Sequence, residues 1–259
     1  MPDKYWFLKH CDLFERLTPD RLKQVEMRCR TRTFAAKSPI YLPADQSDAV
    51  LMLASGRVKI CSFTYDGKQS ILTFIEPGEL FGELAILESG EREEYAEAVT
   101  NSSVILIPAD EIRKVIEEYP TVSLGVTKLI GMRRRRIERR LKYLLFHSNR
   151  DRLANLLLEL AEQYGKPCPS GVDLGIKLSH QDLANIIGST RETVTLMLGE
   201  LQNEGLISTG RRKVTLTNIE QLAASVNVRV PTVNQERPAT KNSTSDPLST
   251  GTNKLPNVT

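Results

Sequence analysis

The spacing of apolar residues changes along this chain and divides it into parts with different predicted structure. Between about residues 33 and 108, short apolar runs alternate with turn dipeptides, as at 50–53, 58–63, 71–75 and 104–107. Asp66-Gly67 is the best hairpin turn of the set. Short strands at this spacing predict a β-sandwich, jelly roll or barrel.

From Ala109 the apolar period becomes helical. Asp110 is expected to cap a helix that runs to Glu118, and Pro120 separates it from a long helix that ends near His147. Apolar positions in the long helix fall at separations of four, seven, four and three residues, as in a coiled coil. We expect the same helix of a second copy to cover this stripe, which consists of Val126, Ile130, Ile137, Leu141 and Leu144.

Two short helices joined by a tight turn are predicted over residues 179–198. Gly188 supplies the left-handed backbone position of the turn, and Ser189 or Thr190 can cap the second helix. Arg can bind the paired acceptors of guanine, and Glu can accept from the amino group of cytosine. The pattern predicts a helix-turn-helix, and an ordinary helical hairpin in a core is the alternative. The expected base-reading residues are Arg191, Glu192 and Thr195.

A predicted wing follows the second helix. Two β-prone runs, 206–208 and 213–217, are separated by a basic tip that is expected to contact phosphate, as in a winged helix. The segment before these two runs contains Pro167, Pro169 and Gly171 and is predicted to form a loop. The residues expected to position the DNA backbone are Ser179, His180, Gln181, Arg211, Arg212 and Lys213.

Together these patterns predict an α+β chain with four segments. They are a β jelly roll with flanking helices at 1–118, a dimerisation helix at 119–147, a winged helix-turn-helix at 148–226 and a tail at 227–259. The tail contains no aromatic residue and is rich in Thr, Ser, Asn and Pro, which predicts disorder.

Composition excludes several classes of protein. The net charge of +3 is too small to identify nucleic-acid binding by itself. Four widely spaced cysteines form no CxxC pair, which argues against a zinc or iron–sulfur site and favours reduced thiols in the cytoplasm. No apolar run is long enough to predict a membrane partner. Because the sequence has no catalytic triad, P-loop or metal-ligand spacing, we expect neither an enzyme nor a metal site.

The order of these parts resembles the Crp/Fnr family, the cyclic-AMP receptor protein and its relatives, over roughly residues 5 to 220. The motifs that carry the resemblance are GELFGELA at 78–85 and LSHQDLANIIGSTRETV at 178–194, the second being similar to the Fnr and nitrogen-control branches. The resemblance implies a homodimer on near-palindromic DNA, with an effector in the β domain that shifts the DNA-binding domains. RNA polymerase is an expected further partner.

Residue by residue, the resemblance assigns base reading to Arg191 and Glu192, with Thr195 on the same face. Leu196 stands where the cyclic-AMP receptor protein has a third polar reader. The preferred half-site is therefore expected to differ, with an Arg reading a guanine as its retained element.

The resemblance also implies where an effector would bind. Cyclic-AMP binders of the family use a Glu for the ribose, matched by Glu83, and an Arg followed by Ser or Thr for the phosphate. Arg92 matches that Arg when the loop is aligned from the following strand, whereas counting from Glu83 without a gap places Glu93 there. The next position is acidic in both alignments. The tentative pocket residues are Gly82, Glu83, Leu84, Arg92, Ile137 and Glu138.

Several features of this pocket disfavour a cyclic nucleotide. Glu91, Glu93 and Glu94 crowd the site and repel an anionic phosphate. The long helix should offer polar groups to the base, but the matching positions are Ile137 and Glu138. We therefore expect no cofactor and leave the effector unidentified. The alternative is that the turn itself requires Gly78, Gly82 and Glu83, without any ligand.

A second function stays open from the sequence. The chain could be a ligand-binding signalling module whose helical domain contacts protein rather than DNA. A steep fall of affinity with salt would favour DNA, because phosphate contacts release counterions.

Overall fold

The computed structural model describes residues 3–11, 13–87, 90–211 and 213–233. The helices are α1 (Lys4–Lys9), α2 (Pro19–Arg28), α3 (Ala109–Glu118), α4 (Thr121–Phe146), α5 (Asn149–Tyr164), α6 (His180–Ile187), α7 (Arg191–Asn203) and α8 (Ile219–Ser225). The strands are β1 (Arg30–Phe34), β2 (Pro39–Tyr41), β3 (Ala49–Ser55), β4 (Val58–Phe63), β5 (Gln69–Ile75), β6 (Leu80–Phe81), β7 (Tyr95–Ala98), β8 (Ser102–Pro108), β9 (Lys166–Cys168), β10 (Gly171–Asp173), β11 (Ile207–Gly210) and β12 (Lys213–Leu216). Among the helices of these ranges, none combines the length and apolar character that crossing a bilayer requires.

The first eight strands form two four-stranded antiparallel sheets. Their strand orders are β1-β8-β3-β6 and β2-β7-β4-β5, and the apolar faces of β3, β4 and β8 pack into the core between them. The hairpin predicted at Asp66-Gly67 joins β4 to β5, with Gly67 in the left-handed region at φ 78. The predicted β-rich domain of an α+β fold is confirmed.

The start of α3 differs from the expectation. Pro108 occupies the N-cap position, and the helix begins at Ala109, so the predicted capping role of Asp110 is wrong. The Asp110 carboxylate lies in the first turn, where the helix dipole favours a negative charge, and pairs with Arg28 at 3.0 Å.

The apolar stripe of α4 has two environments. Val126 is only 5% exposed and belongs to the core of its own β domain, and Ile130 packs against that core. Val126 is thus not available to a partner helix, contrary to the expectation from spacing. The C-terminal part of the stripe, Ile137, Leu141 and Leu144, lies on the surface of the single chain.

The C-terminal domain contains helices α5 to α8 and a four-stranded sheet of order β11-β12-β10-β9. The region around Pro167 and Gly171, predicted as a loop, forms the short β9–β10 hairpin. Pro167 is tolerated because β9 is the edge strand of this sheet. Residues 227–233 follow α8 without regular structure, and the rest of the predicted tail, 234–259, lies outside the described residues.

The β4–β5 hairpin packs against the C-terminal domain. Cys61 on β4 and Ile71 on β5 are cross-strand neighbours, and both are buried in the cluster that holds the apolar residues of α5 and α6. The Asn185 side-chain amide of α6 donates to Gln69 Oε1 at 3.3 Å. The hairpin therefore connects the β domain physically to the helix that precedes the turn at Gly188.

Candidate nucleic-acid interface

Hydrogen bonds fix the helix-turn-helix at both of its helix starts. Ser179 Oγ accepts from the Asp182 N–H at 3.1 Å, while Asp182 Oδ2 accepts from the Ser179 N–H at 2.8 Å, which forms a capping box. Gly188 ends α6 in the left-handed region at φ 67. Thr190, rather than Ser189, caps α7 by accepting from the Thr193 N–H at 3.2 Å. These local contacts determine the angle at which α7 leaves the turn.

The second helix, α7, has one buried and one exposed face. The buried face packs Val194, Met197, Leu198 and Leu201 into the domain core. Arg191, Glu192, Thr195 and Leu196 are exposed. Within the part of the chain that the structure describes, the Arg191 guanidinium and the Glu192 carboxylate make no hydrogen bond or ion pair. Both remain available to base edges.

Thr195 has partners of its own. Its Oγ1 donates to the Arg191 carbonyl at 2.9 Å, within the same helix. The Nδ1 atom of His180, in the first turn of α6, lies 2.8 Å from the same Oγ1. The contact ties α6 to the exposed face of α7, and no local sequence signal indicates it.

A groove of ≈ 490 Å³ lies between α6, α7 and the wing formed by β11 and β12. It brings together residues that the sequence assigned separately to base reading and to backbone contacts. Those that line it are Ser179, His180, Gln181, Arg191, Arg211 and Lys213. Arg212 lies outside the described residues.

Besides His180, three of the expected backbone contacts are already engaged within the chain, and one of them is Gln181, whose side-chain amide donates to Asn185 Oδ1 at 2.8 Å. The Ser179 hydroxyl donates to Asp182 Oδ2 at 2.6 Å, in addition to its capping bond, so its proton is directed away from phosphate. The Lys213 ammonium lies 2.8 Å from Asp173 Oδ2 on β10. This hydrogen bond lowers the pKa of Asp173 and raises the pKa of Lys213, so the pair is ionised at neutral pH.

The tentative effector pocket is only partly assembled. Gly82, Glu83 and Arg92 come together, and Glu83 is buried in a short 3₁₀ helix, Glu83–Ile86. Leu84 is half exposed. Ile137 lies on the exposed surface of α4, where the neighbouring Glu138 pairs with Arg134 at 2.9 Å. Ile137 and Glu138 are thus both exposed in the single chain.

The Arg92 side chain is buried, with 8% of its surface exposed. Its Nη1 donates to the Gly82 carbonyl at 3.0 Å, its Nη2 donates to the Ala49 carbonyl, and the guanidinium lies 4.6 Å from the centre of the Tyr41 ring. Gly82 lies in the left-handed region at φ 68, which favours glycine, and a Cβ there would stand 2.4 Å from Nη1. A phosphate would have to compete with two backbone carbonyls for Nη1 and Nη2, whereas Nε is buried without a hydrogen-bond partner among the described residues. Among the described residues, no cluster of His, Cys, Asp and Glu could hold a metal ion.

Two family models match the chain, one in each domain. Residues 31–119 match the model described as a cyclic nucleotide-binding domain. Residues 151–225 match the model of a Crp-like helix-turn-helix domain, which contains α6, α7 and the wing.

Curated relatives match both domains in one alignment. The chain is 30% identical over 186 residues to the global nitrogen regulator of Nostoc sp., covering 71% of this chain and 83% of the relative. It is also 30% identical over 203 residues to the cyclic AMP receptor protein of Thermus thermophilus, covering 78% and 91% of the two chains.

Solved structures share the fold. A CRP-family transcriptional regulator from Thermus thermophilus superposes with a TM-score of 0.65 at 27% identity, covering 77% of this chain and 98% of the other. A CooA mutant from Carboxydothermus hydrogenoformans gives a TM-score of 0.70 at 23% identity, covering 85% and 97%.

Proposed function

The chain belongs to the Crp/Fnr family of DNA-binding transcription regulators, and we propose that it binds near-palindromic promoter sites as a homodimer. The observation that carries the proposal is the exposed Arg191–Glu192 pair on a capped helix beside a basic groove. Arg191 would bind a guanine and Glu192 a cytosine amino group in the major groove, while Arg211 and the helix starts would hold the phosphates. The alternative of a helical domain that contacts only protein finds no supporting feature in this groove.

The proposed dimer contact is the exposed part of the α4 stripe. Ile137, Leu141 and Leu144 follow one another at coiled-coil spacing, and each leaves apolar surface in water in the single chain. A two-fold axis along α4 would cover this surface with the same residues of a second copy. It would also present two α7 helices to half-sites about one DNA turn apart.

We further propose that the β domain does not depend on a cyclic nucleotide. The engagement of Arg92 by Gly82 and Ala49 supports this, as do the neighbouring carboxylates of Glu93 and Glu94. We also propose that an effector other than a cyclic nucleotide binds the β domain. The promoter-bound dimer would contact RNA polymerase. The site of action would be the cytoplasm.

Sedimentation in the presence and absence of a selected operator tests the dimer. The Leu141→Arg variant places a charge in the proposed contact and should sediment as a monomer that no longer protects both half-sites in footprinting. Leu124→Arg is the matched control, because Leu124 is exposed on the same helix but off the stripe. A Leu141→Arg protein that still dimerises and protects both half-sites would contradict the proposal.

A further inference from the structure

We infer that the exposed face of α7 recognises thymine through its 5-methyl group, with the Thr195 methyl and the Leu196 side chain as the contacting groups. This inference rests on the proposed DNA-binding function and specifies its sequence preference. It assigns Thr195 an apolar role in base reading and makes His180 a positioning residue.

The hydrogen bonds of Thr195 leave it little polar capacity toward DNA. A threonine hydroxyl has one proton to donate, and Thr195 Oγ1 gives it to the Arg191 carbonyl at 2.9 Å. His180 Nδ1, 2.8 Å away, is the second hydrogen-bond partner of the same oxygen. With the hydroxyl engaged on both sides, the part of Thr195 left to meet a base edge is its methyl group.

His180 determines which side of Thr195 is presented. The hydrogen bond between His180 Nδ1 and Thr195 Oγ1, 2.8 Å long, holds the Thr195 side chain in one rotamer. Asp182, two residues later, closes the capping box that holds this turn of α6 in place. His180, at the start of α6, thus orients the Thr195 side chain on the DNA-facing surface of α7, in addition to any phosphate contact that this helix start makes.

Leu196 extends the apolar character of the same face. It is 65% exposed, although Val194, Met197 and Leu198 beside it are buried. At about 100° per residue, Thr195 and Leu196 lie on either side of Glu192 within an arc of about 100°. The thymine methyl is the apolar group that base pairs present in the major groove, so it is the chemical complement of this pair.

The inference predicts a half-site that combines two kinds of contact. Polar reading by Arg191 and Glu192 selects G·C pairs, and apolar reading selects thymines at adjacent positions. A cytosine or a deoxyuridine at those positions would leave Leu196 or the Thr195 methyl facing water or a polar edge.

Replacement of single thymines by deoxyuridine in a selected operator tests the inference, since it removes the methyl and keeps every hydrogen-bonding group. We expect the wild-type protein to lose about threefold to tenfold in affinity at each contacted thymine. Thr195→Ser, which keeps the hydroxyl and its contact with His180 but removes the methyl, should lose this sensitivity at one thymine. Leu196→Ala should lose it at another.

His180 variants test the positioning role. His180→Ala should weaken the deoxyuridine effect at the Thr195 thymine, and His180→Asn should restore it, because the Asn amide can donate from the place of Nδ1. If the wild-type protein binds its operator specifically but is indifferent to deoxyuridine, the inference is wrong while the proposed function stands. If the protein shows no specific, salt-sensitive DNA binding, and a protein partner instead buries Leu196, the proposed DNA-binding function itself is wrong.

Discussion

The ammonium of Lys213 in the wing lies 2.8 Å from the carboxylate of Asp173, so the β9–β10 hairpin holds one of the cations of the DNA-binding face. Asp173 also accepts from the Gly175 N–H at 2.7 Å. The pair is exposed on the Lys213 side, where salt and a phosphate can compete with it. A phosphate contact at Lys213 would therefore have to displace the Asp173 carboxylate, which competes for the same ammonium.

Asp173→Asn should strengthen DNA binding. The amide keeps the acceptor for Gly175 but removes the charge that holds Lys213, so the lysine becomes available to a phosphate. We expect affinity to rise a few-fold at low salt, and the slope of log K against log salt to steepen by up to about 0.9 for one added phosphate contact. Fluorescence anisotropy across a salt series measures both quantities.

The control is Asp110→Asn, which removes the same charge from an exposed ion pair in the β domain. If both variants strengthen binding equally, net charge explains the effect, and the Lys213–Asp173 contact plays no special part in it.

Local sequence signals account for most of what could be predicted. Ser179, Gly188 and Thr190 act through backbone atoms a few residues away, so the helix-turn-helix followed directly from the sequence. The hairpin at Asp66-Gly67 did so for the same reason.

The rest depends on contacts between distant parts of the chain. The pairing of Lys213 with Asp173 requires β10 beside β12, and a three-residue strand next to two prolines gave no sign of that pairing. Spacing could not separate Val126, buried by its own β domain, from Leu141 on the same stripe. No pattern indicated that Arg92 turns inward toward the Gly82 carbonyl.

Arg92→Ala tests whether this arginine supports the fold or awaits a ligand. Its removal leaves the Gly82 and Ala49 carbonyls without their charged donor, and we expect the free energy of unfolding to fall by about 2–4 kcal/mol without any ligand. Denaturant unfolding measures the change, and Arg16→Ala on the exposed surface is the control. Unchanged stability, together with a rise in wild-type Tm on addition of cyclic AMP that the variant lacks, would assign Arg92 to a ligand instead.

Cys61 reports on the contact between the β4–β5 hairpin and α6. Burial raises the pKa of both Cys61 and Cys29 to about 12, and Cys29 lies in a different core cluster from Cys61. Both thiols should therefore react slowly at pH 8. Ile71→Ala should accelerate maleimide labelling of Cys61 at least about tenfold, because it weakens the domain contact, and leave Cys29 slow.

Mass spectrometry of the labelled peptides distinguishes the two cysteines. Equal acceleration at Cys29 would indicate loosening of the whole chain, and no acceleration at Cys61 would show that the hairpin contact does not protect it.

The most direct test of the account is the affinity of Arg191→Ala for the selected operator and for operators changed at single base pairs. We predict that the variant loses about 1–3 kcal/mol on the operator and no longer discriminates the guanine at one position of each half-site, while its salt slope stays nearly unchanged. Arg16→Ala should bind as the wild-type protein does. Equal binding of Arg191→Ala and wild type to the operator, with discrimination at every position intact, would contradict the assignment of α7 as the DNA-reading helix.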